Sequence, residues 1–224
     1  MNKKILVAII VILAVSIAGT VALYALSAND GIFPFSGTMV FQSDVAGVNL
    51  AILGPEETLR TGVIGDNSEL TFTGLPEGDY QAIATKDGYT AHYVMGTSIN
   101  RGFMGGRTTV QVYMTPFPEE QPLYVSGNPN AVIIKQGSSK TVTVTVASLN
   151  DIAGKVSLDC TQLPSGVTAT FSPESVNLTA GGDATSTLTL TVSSTVTKGI
   201  YPVDIELSTE ELGTGGFVLL FQVT

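Results

Sequence analysis

The chain has a single cysteine, a single histidine and no tryptophan among its 224 residues. One thiol, Cys160, cannot close an intrachain disulfide. One imidazole, His92, is too little for a zinc centre, which needs three or four Cys, His or carboxylate ligands. His92 and Cys160 also fall in different predicted units, so they do not form a nucleophile–base pair. The missing tryptophan removes the usual sugar-stacking side chain. Charge is scarce as well: Asp, Glu, Lys and Arg make up 13% of the chain, against roughly 25% in ordinary soluble proteins. What charge there is leans acidic, with 8 Lys and Arg against 18 Asp and Glu after residue 30. Such a surface repels phosphate backbones, and nucleic acid is excluded as an expected partner. No Gly-x-Ser-x-Gly elbow and no EF-hand spacing occurs.

What the chain does have is an apolar N-terminal run. Residues 5–26, ILVAIIVILAVSIAGTVALYAL, hold 22 positions without a charge. As a helix this run reaches roughly 33 Å, enough to cross a bilayer core. Lys3 and Lys4 precede it and Asp30 is the first charge after it. The positive-inside bias then leaves a short cytoplasmic tip and sends the rest outside. A cleaved signal peptide is the rival reading, with Ala25-Leu26-Ser27 as a loose cleavage site, but its apolar region is normally 7–15 residues. A pilin-like segment is a third. Pilin precursors usually carry a small residue after the basic stretch and an acid just inside the apolar run; here Ile5 follows Lys4 directly and no acid precedes Asp30.

Beyond residue 30 no helical period is found. Alternating apolar and polar residues dominate, punctuated by Gly, Pro, Asn and Asp, which predicts sandwiches or barrels. Pro116, Pro118 and Pro122 fall within seven residues and cannot donate to a sheet ladder. The expected fold is therefore all-β: two tandem β-sandwich domains behind an N-terminal transmembrane helix. The boundaries are 1–30 for the cytoplasmic tip and anchor, 31–117 for the first sandwich, 118–122 for a Pro-rich semi-rigid linker, and 123–224 for the second sandwich. Such a linker predicts two independently folding units.

In the first unit, 38–42, 47–53, 69–73, 80–85 and 108–114 are the strand candidates. Residues 70–89, LTFTGLPEGDYQAIATKDGY, read as a strand, a Pro-Glu-Gly-Asp turn, a second strand and a Gly-Tyr end. Pro76 suits the second turn position and Gly78 a positive φ. Tyr80 and Tyr89 are each expected to bury a ring and keep a hydroxyl near water. This stretch resembles the carboxypeptidase regulatory-like (transthyretin-like) and PEGA-type β-sandwich families, whose pattern is G-L-P-x-G-x-Y followed by K-x-G-Y. Many of those domains carry an Asp-x-x-Gly turn before the glycine-leucine strand; Gly65-Asp66-Asn67-Ser68 stands there without the final glycine. The resemblance implies a spacer, stabiliser or adhesive module, seldom a catalyst.

In the second unit, 140–146 and 186–192 alternate Val or Leu with Thr, so each has one buried and one wet face. Residues 217–223, FVLLFQV, are apolar on both faces, which predicts an interior strand or one covered on its second face. Residues 163–173, LPSGVTATFSP, with Gly199-Ile200-Tyr201-Pro202-Val203, resemble the Ig-like or fibronectin-like domains of bacterial and archaeal surface proteins. The resemblance implies a seven-stranded sandwich. The Cys–Trp–Cys core of antibody domains is absent.

Few residues suggest chemistry. Cys160 shares a predicted strand face with Val156 and Leu158, which reads as packing, with an intermolecular disulfide as the alternative. Asp66, Asn67 and Glu69 cluster in one turn; calcium would need six to eight oxygens, and without EF-hand spacing or a repeated Asp-x-Asp they read as a solvated turn, with calcium as the alternative. Glu56-Glu57, Glu119-Glu120 and Glu210-Glu211 read as exposed loop acids. Residues 102–106, GFMGG, form a wide turn or a contact loop. Asn177-Leu178-Thr179 is a glycosylation acceptor pattern. No catalytic residue, cofactor or metal is expected, and the chain is not expected to be an enzyme. The expected role is that of a single-pass cell-membrane protein with extracellular C-terminal domains, serving adhesion, envelope structure or assembly. Its expected partners are the membrane and then envelope proteins, glycans or copies of itself. The alternatives are a carbohydrate- or protein-binding accessory subunit of a surface enzyme or transporter, and a pilin-like filament subunit.

Overall fold

The computed structural model describes residues 36–100, 106–118, 122–149, 152–209 and 213–224. The apolar run at 5–26, residues 102–105 of the glycine-rich segment, and the Glu119-Glu120 and Glu210-Glu211 doublets lie outside them. The described residues are all-β. The first half holds β1 (Gly37–Gln42), β2 (Val48–Gly54), β3 (Thr58–Ile64), β4 (Glu69–Leu75), β5 (Gly78–Thr85), β6 (Tyr89–Thr90), β7 (His92–Ile99), β8 (Arg107–Gln111) and β9 (Thr115–Pro116). The second half holds β10 (Leu123–Asn128), β11 (Ala131–Ile134), β12 (Ser139–Ser148), β13 (Gly154–Thr161), β14 (Val167–Ser172), β15 (Ser175–Leu178), β16 (Asp183–Val192), β17 (Gly199–Thr209) and β18 (Gly213–Val223).

A three-stranded sheet, β4-β1-β8, faces a four-stranded sheet, β3-β2-β5-β7. Between them lies a core built on Met39, Phe41, Leu50, Ile52, Phe72, Leu75 and Tyr80. Phe41 and Phe72 meet edge to face at 6.0 Å, an arrangement their ring quadrupoles favour. A second pair, β10-β12-β16-β14 against β11-β18-β17-β13-β15, encloses Val142, Val144, Val146, Leu188, Leu190, Ile205, Leu219 and Phe221. Period two does this work: in β12 and β16 every Val or Leu is buried and most of the intervening Thr residues are exposed. Nine strands replace the seven that the resemblance implied. The reason lies at the start of the second sandwich, where β10 pairs with β12 and β11 pairs in parallel with β18, so one extended segment serves both sheets.

Each sandwich carries the same device at one edge of its core. In Gly78-Asp79-Tyr80 the Tyr80 hydroxyl donates to the Pro76 carbonyl at 2.8 Å, and in Gly199-Ile200-Tyr201 the Tyr201 hydroxyl donates to the Thr197 carbonyl at 2.7 Å. Both reach four residues back, which ties a strand to the loop that feeds it, as in the tyrosine corners of other sandwiches. Tyr80 is fully buried, so its hydroxyl is satisfied by this carbonyl rather than by water as the sequence suggested.

Two first-unit turns hold non-glycine residues in the left-handed region. Glu56 and Glu57 have φ of 53° and 57°, closing β2 onto β3 with Thr58 N–H donating to the Pro55 carbonyl at 2.9 Å. The loop is three residues, Pro55-Glu56-Glu57, and its two consecutive left-handed positions are ones that Asn and Gly occupy with less strain than Glu. Ser68 has φ of 59° and occupies the place where the resembled families put their final glycine. Glu56→Asn with Glu57→Gly, or Ser68→Gly alone, is expected to stabilise the chain by about 1 kcal/mol and raise its melting temperature by roughly 2–4 °C. A thermal melt by circular dichroism that shows no rise for either variant would remove the strain account.

Candidate functional site at the seam between the sandwiches

Strands β2 and β18 share a property: both are apolar on two faces. In β2, Leu50 and Ile52 point into the first core, while Ala51 and Leu53 point the other way and are equally buried. In β18, Phe217, Leu219, Phe221 and Val223 line the second core, while Leu220 faces outward and is buried too. These outward faces meet. Ala51, Leu53 and Ile83 of the first sandwich pack with Ala131 and Leu220 of the second, flanked by Leu59, Ala91, Tyr93, Ile133, Ile200 and Val218. The cover that the sequence demanded for residues 217–223 is thus supplied by the first sandwich of the same chain, and β18 is also interior, between β11 and β17.

Hydrogen bonds cross the seam as well. The Gln222 amide, buried in the contact, donates through Nε2 to the Gly54 carbonyl at 2.8 Å. Asn130 Nδ2 donates to Thr85 Oγ1 at 3.3 Å, and the Tyr124 hydroxyl to Asp87 Oδ1 at 3.1 Å. The Phe117 and Tyr124 rings lie 5.5 Å apart beside the latter pair. Among the described residues Gln222 Oε1 has no hydrogen-bond partner.

A cleft opens at each end of the seam. The larger, about 530 Å³, is lined by Asn49, Thr61, Val63 and Thr85 on one wall and by Tyr124, Ser126, Asn128 and Pro129 on the other. Strand pairing explains its polarity. Leu59, Thr61 and Val63 stand opposite Leu53, Ala51 and Asn49 in the ladder, so one sheet face runs from apolar at the seam to polar at the cleft. On the facing wall, β10 buries Leu123 and Val125 and turns Tyr124, Ser126 and Asn128 outward. The smaller cleft, about 440 Å³, is mainly apolar and includes Pro55, Tyr80, Gly96, Ile200 and Gln222.

The titratable groups of the larger cleft are already engaged. Lys86 Nζ donates to the Ala46 carbonyl and lies 5.7 Å from the Tyr89 ring centroid. Asp87 accepts from Tyr124. Burial, then the neighbouring Asp87 charge, pushes the Tyr124 hydroxyl up to about 12. It holds its proton at neutral pH and is no general base. The cleft can form hydrogen bonds and make apolar contact; it offers no activated nucleophile.

The residues singled out by sequence are scattered. Asp66 and Asn67 are exposed, and Glu69 is turned back onto β4 and β1, accepting from Thr71 Oγ1 and Gln42 Nε2 at 3.2 Å each. Glu56 and Glu57 form the tight turn described above. His92 Nδ1 accepts from the Tyr113 backbone N–H at 2.8 Å, which ties β7 to the segment after β8. Asn177 is exposed on β15, an edge strand, with its side chain open to solvent. Among the described residues no group of three or more His, Cys, Asp or Glu is placed to hold a metal, and no helix is long and apolar enough to cross a membrane. Asn49, Tyr124, Asn128 and Gln222 carry no motif, and sequence reasoning passed over them. The signal that could have led to them was the pairing of two strands, β2 and β18, each apolar on both faces.

Cys160 packs at the rim of the second core on the face it shares with Val156 and Leu158. Burial first, and the Asp159 charge second, push its thiol from 9.0 up to about 12. At pH 7 the thiolate is then about one part in 10⁵, and a disulfide-exchange reagent is expected to label the native protein far more slowly than the urea-unfolded one. Because the folded thiol holds its proton more tightly than the unfolded one, its stabilising contribution is complete below pH 9. It falls as pH rises through 12. Tyr124, raised from 10.0, acts in the same direction. Urea midpoints should therefore fall between pH 9 and 12, and Cys160→Ala should lessen that fall. Native labelling as fast as that of the unfolded chain would contradict the placement.

No family model and no curated protein matches the chain. Among solved structures it is similar to a family 123 glycoside hydrolase from Clostridium perfringens, at 13% identity over 46% of this chain and 27% of that one, with a TM-score of 0.38. It is similar to BcpA, the major pilin subunit of Bacillus cereus, at 13% identity over 84% and 69% of the two chains, with a TM-score of 0.30. A third likeness is to domains 4 and 5 of the S-layer protein SbsC, at 15% identity over 67% of each chain, with a TM-score of 0.33. The chain thus spans about a quarter of the glycosidase it matches, 27%. At these identities and scores the likenesses carry no argument about activity.

Proposed function

We propose that this chain is a single-pass, membrane-anchored protein whose two sandwiches are displayed outside the cell, where it serves adhesion, envelope structure or assembly without catalysis. The seam is the observation that carries this reading. Burying Leu53, Ile83 and Leu220 between the sandwiches makes a stiff two-sandwich body, suited to bearing or presenting rather than to closing over a substrate. The uncharged run at 5–26, with Lys3 and Lys4 before it, supports the anchor and its orientation. The engaged charges of the larger cleft support a role without chemistry.

Cell fractionation tests it. The full chain should stay with membranes through a carbonate wash and begin at or near Met1. Protease added to intact cells should remove the sandwiches. Recovery of a chain starting between residues 23 and 30 in the medium, or full protection from external protease, would sink the reading.

A further inference from the structure

We infer that the larger cleft is a binding site for a neutral, hydroxyl-rich ligand, an uncharged oligosaccharide. This adds a ligand to the adhesion reading and depends on that reading only for where the ligand is met. The charged groups come first. Lys86 is spent on the Ala46 carbonyl and the Tyr89 ring, and Asp87 on the Tyr124 hydroxyl. These contacts are to uncharged groups, so the two charges remain, but as one Lys and one Asp they leave the cleft lining with no net charge to select an anion or a cation. The net charge of the chain, −9, further disfavours an anionic ligand.

The uncommitted groups are neutral. The carboxamides of Asn49 and Asn128 face the cleft from its two walls and have no protein hydrogen-bond partner among the described residues. Each offers a donor and an acceptor side by side, which matches a pair of adjacent sugar hydroxyls. The Thr61 hydroxyl adds a further polar group on the first wall, while the Ser126 hydroxyl on the other is engaged with Tyr124. Apolar contact is supplied by Val63, which is 53% exposed, by Pro129 and by the Tyr124 ring. Such surfaces suit the C–H face of a pyranose. A cleft of about 530 Å³ whose lining mixes polar and apolar groups falls within the usual size of a small-ligand site. It also gives the seam a second purpose, because the two walls belong to different sandwiches and keep their spacing only while the seam is closed.

The test uses the purified full chain in detergent, titrated by calorimetry with maltotriose, cellotriose, chitotriose and mannotriose, each up to about 10 mM. At least one should bind. Asn49→Ala with Asn128→Ala should weaken that binding by about tenfold or more at an unchanged melting temperature. Thr61→Trp, which fills the cleft from an exposed edge strand, should abolish it. Maltotriose bearing a sulfate group and a lysine-rich peptide serve as charged controls and should not bind in the cleft. Failure of all four neutral sugars would overturn the inference. So would binding that persists in both variants, or a charged control whose binding the Asn variants remove. None of these results bears on membrane placement, so this inference can fail while the anchored reading stands.

Discussion

Leu220→Ala is expected to destabilise the whole chain, not the second sandwich alone, by about 3–4 kcal/mol. Leu220 is fully buried, yet it sits outside the second core and packs on Ala51, Leu53 and Ile83 of the first sandwich. Its loss leaves a cavity in the seam that neither sandwich can close by itself. Leu53→Ala should cost a similar amount. The double variant should cost less than the sum, with a coupling on the order of 1 kcal/mol, because both leucines lose the same contact. Urea unfolding of the full chain, followed by circular dichroism, checks all three. Additive costs, or a Leu220→Ala transition confined to half of the signal, would mean that the seam does not join the sandwiches. The same argument bears on the independent folding expected from the proline-rich linker. Residues 123–224 alone would expose Ala131, Ile133, Ile200, Val218 and Leu220, and should be less stable and more prone to self-associate than the full chain.

The second large effect is expected at Tyr80. Its ring is fully buried and its hydroxyl is held by the Pro76 carbonyl. Tyr80→Ala removes most of a core side chain and should cost about 3–5 kcal/mol, and Tyr80→Phe about 1–2 kcal/mol through the orphaned carbonyl. Gly54 exists to admit this ring: a Cβ there would stand 2.2 Å from Tyr80 Cε1. The ring is fully buried and tied at its hydroxyl to the Pro76 carbonyl, so it can give way only by shifting its neighbours, and Gly54→Ala should cost about 1–3 kcal/mol. The Gly54 carbonyl also accepts from Gln222, so the displacement reaches the seam. In a Tyr80→Ala background the added methyl has space, and Gly54→Ala should become nearly neutral. Equal costs in both backgrounds would show that the ring is not what excludes a side chain at 54.

Much of the strand pattern was legible because burial at period two leaves a direct trace. The Val–Thr alternation of β12 and the Leu–Thr alternation of β16 are examples. β3 and β7 were not read. β3 is an edge strand whose central residues are mostly exposed, and β7 shifts register against β5 between Tyr80 and Ala82, with Gly96 at a φ of 70°. Both therefore lose the alternation that marks a strand. The need to cover residues 217–223 was legible; the cover was not, because Ala51 and Leu53 belong to a strand read only against its own core. The cleft was hidden for the same reason. Asn49 and Asn128 lie far apart in sequence and are ordinary polar positions until the orientation of the sandwiches brings their faces together.

A distance measurement between the two sandwiches tests the single rigid body most directly. Spin labels at Thr71→Cys and Lys140→Cys, both exposed and one on each sandwich, would be placed in a Cys160→Ala background and measured by pulsed electron paramagnetic resonance. A closed seam predicts one narrow distance distribution, which broadens when Leu220→Asp is added. A broad distribution in the unaltered seam would contradict the account, because two sandwiches that tumble on a linker could hold neither the buried Leu53–Leu220 contact nor a cleft of fixed width.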